Sequence, residues 1–532
     1  MAIKSKAVRL DNQFAQMQLT VDSDNVSMPS EHERVAIFES RTTKVRSGRD
    51  GQTIAVPHSQ TFQLKTDLKK PEKLGLMLVG WGGNNGSTLT ASLLAHQNNV
   101  SWATRRGPQA PNFYGSLIMA SSVLVGQEEL TNKDVYLPMF ALAPFVHPND
   151  LVIGGWDINS ANMTEACRRA QVLEPDLLRQ LNDQLQSLSP LPSYYHPDFI
   201  ASNQADRANN CLTGTKQEIL DRIRQDIREF KQANGLSKCV VMWTANTERF
   251  TRLVENVHFK SADLLKSIEQ DFDEISPSTL FAVASILENC IFINGSPQNT
   301  LVPAVMELAE EKAVPIAGDD FKSGQTKMKS VLTDFLVSSG IKPVSIVSYN
   351  HLGNNDGRNL AEAAQFRSKE ISKSNVVDDV LQACPMYNGQ MSSGKGDKEG
   401  PDHRIVIEYI PAVGDSKRAL DEYESEIFMG GRSTISIHNV CEDSLLAAPL
   451  MLDLVLLGEL LSRVTVKSSE TGEFQPLHPV LSLLSFMLKA PVVPKGVPVV
   501  NAFMRQRRAI ETLLRAINGL TPIDDLMLEQ RC

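Results

Sequence analysis

Cysteine is scarce in this chain. There are seven in 532 residues, at positions 167, 211, 239, 290, 384, 441 and 532. None forms a C-x-x-C pair, and the odd, scattered set is not that of a disulfide framework. Such a set reads as thiols kept in a reducing compartment, so the expected location is cytoplasmic. The ten histidines have no zinc-like spacing, and no divalent metal is expected. A basic excess is also missing. The net charge of −9 argues against a nucleic-acid partner, whose footprint would be basic. It leaves room for a small anionic substrate, because local lysines can outweigh the global sign. The opening "MAIKSKAVRLDNQF" has no apolar core of signal-peptide length. The ending "EQRC" matches no prenylation or peroxisomal signal. The most apolar run, "LLAAPLMLDLVLLGELLSRV" at 445–464, is broken by Asp453 and Glu459. Charges at a bilayer centre are costly, so the run reads as a core helix and no membrane partner is expected.

What is present is ordinary globular material, 42% hydrophobic and 22% charged, in a chain too long for one core. Residues 1–70 are polar and irregular in pattern, and Pro71 marks a boundary. From residue 74 onward apolar strand-type runs ("LGLMLVG", "DLVIGGWD", "KCVVMWT", "CIFING", "AVPIAGDD") alternate with helical patterns such as "TKQEILDRIRQDIREFKQA". That alternation predicts an α/β fold with a doubly wound parallel sheet. The stretch "NGQMSSGKGDKEGPD", 388–402, reads as a surface loop.

In "LGLMLVGWGGNNGST", 74–88, a strand opens into a glycine-rich turn and then a helix. Gly80, Gly82 and Gly83 suit a tight turn that lets backbone N–H groups approach a pyrophosphate, and Gly86 allows close packing of helix on strand. Asn84 and Asn85 tolerate unusual dihedrals. The spacing departs by one residue from G-x-G-x-x-G, and the acid usually found about 20 residues on is absent. Arg105 and Arg106 stand there, which would suit NADP. Asp157, at the end of a later strand, would suit NAD. Spacing alone leaves both open.

Most strands run into polar tails. These carry Asn246, Gly295, Ser296, Asp320, Ser323, Asn354, Asn355 and Asp356. Turn chemistry explains any one tail, but several tails beyond the carboxyl ends of a parallel sheet define a crevice. Lysines are dense nearby. Lys369 and Lys373 share a helix face, Lys417 follows Asp415 and Ser416, and Lys489 is isolated among apolar residues. A lysine so placed either snorkels to water or has a lowered pKa.

Taken together, "GWGGNNGST", "GWDIN", "WTANTER", "NGSPQNT", "AGDDFKSGQTK", "SYNHLGNNDG", "FRSKEISKS", "VGDSK", "HNVCEDS" and "LKAP" resemble the eukaryotic myo-inositol-1-phosphate synthases, from about residue 65 to the end. The resemblance implies an isomerase that cyclises D-glucose 6-phosphate to 1D-myo-inositol 3-phosphate, the first step of inositol and phosphoinositide synthesis. C5 is oxidised by NAD, an enolate forms at C6 and closes on the C1 aldehyde, and the ketone is reduced again. It implies a Rossmann domain over 71–326, a catalytic and tetramerisation α+β domain over 327–442, a C-terminal segment over 443–532 that returns to the Rossmann side, and a homotetramer. It also allows a monovalent cation.

By the same resemblance, Asp157 meets the adenosine ribose, and the loop through Gly83, Asn84, Asn85 and Gly86 meets the phosphates. Ser193, Gln204 and Arg207, with Thr244, Ala245, Asn246, Thr247, Gly295 and Ser296, are further cofactor contacts. Asp320, Ser323, Asn354, Asn355 and Asp356 lie on the nicotinamide and substrate side. Lys369 and Lys489 act at C5, Lys373 and Lys417 with Ser323 hold the phosphate, and Asp320 and Asp443 orient those lysines. The rival readings are an NAD(P)-dependent sugar-phosphate dehydrogenase and an inactive NAD-binding scaffold. The first needs one acid–base group rather than four cations, and the second would have lost one of the four lysines.

Overall fold

Residues 26–67 form strands, contrary to the irregular pattern read from the sequence. In the computed structural model, which describes residues 19–48, 50–382, 384, 386–387, 400–468 and 472–526, β1 (Val26–Ser30) precedes a long hairpin of β2 (Glu33–Ser47) and β3 (Thr53–Asp67). β2 and β3 pair without a break from Glu33↔Asp67 to Ser47↔Thr53. The alternation that announces a half-buried strand is weak here because most of the hairpin is solvated on both faces. Ala36, Leu64 and Thr66 are buried. Most of the 388–402 loop, and the C-terminal "EQRC" with Cys532, lie outside the described residues.

The next strands are apolar because both of their faces are covered. β4 (Leu74–Val79) is buried throughout. Its Leu76 and Leu78 enter one core, while Met77 and Val79 enter another on the opposite face. α1 (Asn84–Gln97) follows, then β5 (Leu151–Asp157), α2 (Met163–Ala170), β6 (Leu191–Pro192), α3 (Lys216–Ala233), β7 (Cys239–Trp243), α4 (Pro277–Leu287), β8 (Ile291–Asn294) and β9 (Ile316–Ala317). Two capping boxes, Asn162 with Glu165 and Thr215 with Glu218, start α2 and α3. The sheet order is β6-β5-β4-β7-β8-β9, every pair parallel. This is the doubly wound dinucleotide-binding order, and its switch point lies between β4 and β7.

A second sheet follows α5 (Gly324–Ser338). It contains β10 (Lys342–Leu352), then after α6 (Asn355–Leu360) and α7 (Ala363–Gln382) come β11 (Asp402–Tyr409), β12 (Ser416–Glu426) and β13 (Arg432–Glu442). The order is β11-β10-β12-β13. One face buries Ile346 and Tyr423 against Leu336 of α5. The other face leaves Tyr349, Leu420 and Val440 exposed.

α8 (Asp443–Leu461) contains most of the apolar run. Among the described residues it is the helix long and apolar enough to cross a membrane, with a mean hydropathy of 1.9, and 89% of its apolar stretch is buried inside the fold. The two charges within its apolar run are satisfied there. Asp453 accepts hydrogen bonds from Ser116 Oγ (2.6 Å), Leu117 N (2.6 Å) and Ile118 N (3.0 Å), and Glu459 pairs with Arg463 at 2.7 Å. Each leucine it buries contributes roughly 1.5–3 kcal/mol. β14 (Val464–Ser468) then adds to β3 and β15 (Gln475–Pro476) to β14. Residues beyond bridge back to the dinucleotide-binding half, Val480 to Ile316 of the parallel sheet and Leu488 to Phe321 just past it, before α9 (Phe503–Ala516).

Candidate active site

At the carboxyl end of β4 the chain must turn sharply. Gly80 has φ +86°, and a Cβ there would lie 2.5 Å from Ala245 Cα. The N–H groups of Gly80 and Trp81 both donate to Trp156 O on β5 (2.8 and 3.0 Å). α1 begins at Gly83 with no side-chain cap and no acid in its first turn. Its free N–H groups and positive dipole end therefore open onto the crevice, which fits a phosphate. Gly82 N donates to Asp157 Oδ2 (2.9 Å), and Asn159 N to Asp157 Oδ1 (2.9 Å). Burial raises the Asp157 pKa, opposed by those bonds and by Arg207 and Arg169. Arg169 also donates to Gly82 O (2.7 Å), pinning the loop from α2.

Asp157 ends the second strand of the dinucleotide-binding order, where a ribose-binding acid belongs. Two hairpins inserted between α1 and β5, Trp102–Thr104 with Gly107–Gln109 and Ser122–Gln127 with Asp134–Pro138, moved it far along the chain. Arg105 and Arg106 are exposed at the turn of the first hairpin and do not line the crevice.

The crevice encloses a cavity of about 410 Å³. Gly80, Gly83, Asn84, Asn85, Asp157, Ser193, Arg207, Thr244, Ala245, Asn246, Thr247, Gly295 and Ser296 line it. So do Asp320, Ser323, Asn354, Asn355, Asp356, Lys369, Lys417, Asp443 and Lys489. Four residues singled out from the sequence stand behind the wall. Gly82 is turned onto Asp157. Gly86 packs against the turn, where a Cβ would lie 2.3 Å from Trp81 O. Gln204 is buried and accepts from Arg207 at 3.4 Å. Lys373 lies deeper, with Asn350 and Gln325 as partners.

Asp320 forms the centre of the charged part. It has left-handed backbone, φ +57°, and is buried. Its Oδ1 meets Lys369 Nζ at 3.1 Å, and its Oδ2 meets Lys489 Nζ at 3.0 Å and Ser372 Oγ at 2.8 Å. Burial alone would raise its pKa, but Lys369 and Lys489 hold it at about 2. Burial lowers Lys489 to about 7 despite Asp320, with Lys369 adding repulsion. Burial also works against Lys369, yet Asp320 and Asp356 keep it above the ordinary lysine value. Lys373 is pushed well down by burial and by the neighbouring lysines. Lys417 pairs with Asp443 at 3.5 Å. Asp443 is pushed up by burial but held low by Lys417 and Lys369. One lysine is thus kept charged and another brought near neutral pH, the separation that acid–base chemistry requires.

Sequence reasoning did not single out Asp415 or Ser372 as site residues. Asp415 ties three elements together at the cavity wall. It accepts from Asn84 Nδ2 (3.2 Å), Asn354 Nδ2 (3.2 Å), Ser444 N (2.9 Å) and Ser444 Oγ (2.9 Å). Ser372 stands three residues after Lys369, a helical spacing that could have revealed it.

The sheet order, the open helix N-terminus and the lysine–aspartate cluster at one crevice are those of a dinucleotide-dependent enzyme that manages protons and negative charge on its substrate. The chain belongs to the myo-inositol-1-phosphate synthase family, an NAD-binding family whose model matches residues 74–515. It is 55% identical to an inositol-3-phosphate synthase of Dictyostelium discoideum over 96% of this chain and 98% of that one. It is 53% identical to isozyme 2 of the same enzyme from Arabidopsis thaliana, over 96% and 99%. The solved inositol-3-phosphate synthase of Caenorhabditis elegans superposes with a TM-score of 0.92 at 49% identity, covering 97% of this chain and 99% of that chain.

Proposed function

We propose the following division of labour for an inositol-3-phosphate synthase that cyclises D-glucose 6-phosphate with NAD and no net redox change. The observation that carries it is the buried Lys369–Asp320–Lys489 bridge on the wall of the same cavity as the phosphate-binding turn. NAD, when bound, takes a hydride from the sugar and later returns it. Asp157 holds the adenosine ribose, and the N-terminus of α1 holds the pyrophosphate. Ser193, Arg207, Thr244, Asn246 and Ser296 shape the rest of the cofactor side.

Lys489, near neutrality, accepts the C5 hydroxyl proton. Lys369, held charged by Asp320, stays beside the developing C5 oxyanion, where a fixed cation in a dry site is most effective. The C5 ketone acidifies C6, and the enolate closes on the C1 aldehyde. Lys417 and Ser323, the latter at the N-terminus of α5, hold the phosphate from the cavity wall and Lys373 does so from the layer behind it, with Asp443 orienting Lys417 and Asn354 fixing the sugar. A simple dehydrogenase has no use for this many cations. Purified protein given glucose 6-phosphate and NAD should yield inositol phosphate without accumulating NADH, and steady net NADH release would overturn the reading in favour of a dehydrogenase.

We also propose a homotetramer in the cytoplasm, with residues 71–326, 327–442 and 443–532 as its functional divisions. The outer face of the β10–β13 sheet, with Tyr349, Leu420 and Val440 exposed at 49%, 51% and 52%, supports assembly through that face. The six described cysteines are free, as suits a reducing compartment. Sedimentation of the protein with Leu420→Glu should show smaller species, and an unchanged tetramer would place the interface elsewhere.

A further inference from the structure

Lys373 differs from the other site lysines in its surroundings. Lys369 and Lys489 touch Asp320 and Lys417 touches Asp443. The hydrogen-bond partners of Lys373 are neutral amide oxygens, Asn350 Oδ1 at 3.0 Å and Gln325 Oε1 at 3.4 Å. Both amides are locked. Asn350 Nδ2 donates to Val406 O (3.1 Å) on β11 and Ser348 O (3.5 Å), so its oxygen must face Lys373. Gln325 Nε2 donates to Asp421 Oδ1 at 2.6 Å, so its oxygen must face Lys373 as well. Gln325, Asn350, Lys373 and Asp421 are all buried.

We infer that Asp421 is a positioning residue for the substrate's phosphate, acting on Lys373 through the side-chain amide of Gln325. A carboxylate in direct contact would fix the lysine but cancel its charge toward an incoming anion. Set one amide away, Asp421 fixes the direction of the amide dipole and thereby the lysine, whose proton is loosened by burial and by the neighbouring lysines and is held again by the charge of the arriving phosphate. The elements suit this task. Asp421 is in the middle of β12, a rigid strand paired on both sides, and Gln325 is in the first turn of α5, beside Ser323. Asp421 also attracts Lys329, so a variant that leaves that pair intact is needed in the test. The inference rests on the reading of Lys373 as a phosphate ligand.

Replacement of Asp421 by asparagine offers Gln325 an N–H donor. The glutamine amide can then turn over and aim its own N–H groups at Lys373. The KM for glucose 6-phosphate and the inhibition constant of inorganic phosphate should both weaken by about tenfold, the cost of one charged-group hydrogen bond, with NAD affinity unchanged. Gln325→Met, which leaves Asp421 and Lys329 together, should do the same. It also decides the matter if Asp421→Asn does not fold. In a Lys373→Met background neither change should weaken phosphate further. If Lys373→Met alone leaves phosphate inhibition at the wild-type value, the assignment of Lys373 fails. If Lys373→Met weakens phosphate but Gln325→Met does not, or the effects add in full in the double variant, the relay through Gln325 is refuted.

Discussion

Replacing Asp320 by asparagine removes the carboxylate that lies between Lys369 and Lys489 while keeping its size. The Asp320 pKa stands at about 2 against an ordinary 3.8, and each tenfold change in acidity corresponds to about 1.36 kcal/mol, so its ionised form gains about 2 kcal/mol from its surroundings. Stripping one partner from a buried ion pair costs about 3–5 kcal/mol when the orphaned charge must stay. Here the charge need not stay. Lys489, already brought from 10.5 to about 7, loses Asp320's attraction and is neutral at physiological pH. The loss of stability should therefore fall near the lower figure, about 2 kcal/mol, while catalysis suffers more. Lys369 loses the anion that keeps it charged and aimed, and Lys489 loses its hydrogen-bond anchor. Misplacing such groups costs on the order of 100-fold in kcat. In the wild type the rate should rise as Lys489 deprotonates near pH 7, and in Asp320→Asn this limb should move to lower pH. A pH series of kcat by inositol phosphate formation, with melting curves alongside, tests both. A variant with wild-type kcat and an unmoved limb would refute the assignment of Asp320 as the organiser of the two lysines.

Three further outcomes are expected. Asp157→Asn should weaken NAD by about tenfold through loss of a charged acceptor and narrow the preference over NADP, as titration calorimetry with both cofactors would reveal. Gly80→Ala should cost at least about 1–3 kcal/mol, because its Cβ would lie 2.5 Å from Ala245 Cα at φ +86°. The melting temperature with and without NAD checks this. Because the folded Lys489 pKa of about 7 lies below its ordinary 10.5, the unfolded chain binds the extra proton between those values and stability should rise with pH across that window. Lys489→Met should abolish turnover, raise the melting temperature near pH 7 and flatten that rise. Asp320 and Glu274, both held at about 2, act in the same sense but in a lower window, so their stabilisation is complete above about pH 4.5 and lost as pH falls toward 2.

The parallel sheet was legible because its strands are buried on both faces, leaving uninterrupted runs such as Leu74–Val79. The glycine turn was legible through its mechanism rather than its spacing. Asp157 could not be placed by counting residues, because inserted hairpins lengthen the chain between α1 and β5 without moving the strand end in space. The β2–β3 hairpin was hidden for a different reason. Strand periodicity is visible only when one face is buried, and Val45 and Val56 are both exposed at its far end. Within the site, the strand tails that meet at the cavity carried their signal in composition. The depth of Lys373 and the junction at Asp415 did not, since both depend on which helix and strand ends the tertiary fold brings together.

The backbone contacts of Lys489 have a consequence for biosynthesis. Its N–H donates to Asp320 O at 2.9 Å, and Leu488 bridges Phe321, so the last of the four lysines is stitched to a turn translated some 170 residues earlier. A nascent chain on the ribosome can lay down the parallel sheet, the phosphate turn and the second sheet while its chemistry is still missing a member. A chain cut short before residue 489 would therefore be without turnover, and the order of synthesis delays catalytic competence until the fold around the reactive sugar is nearly closed.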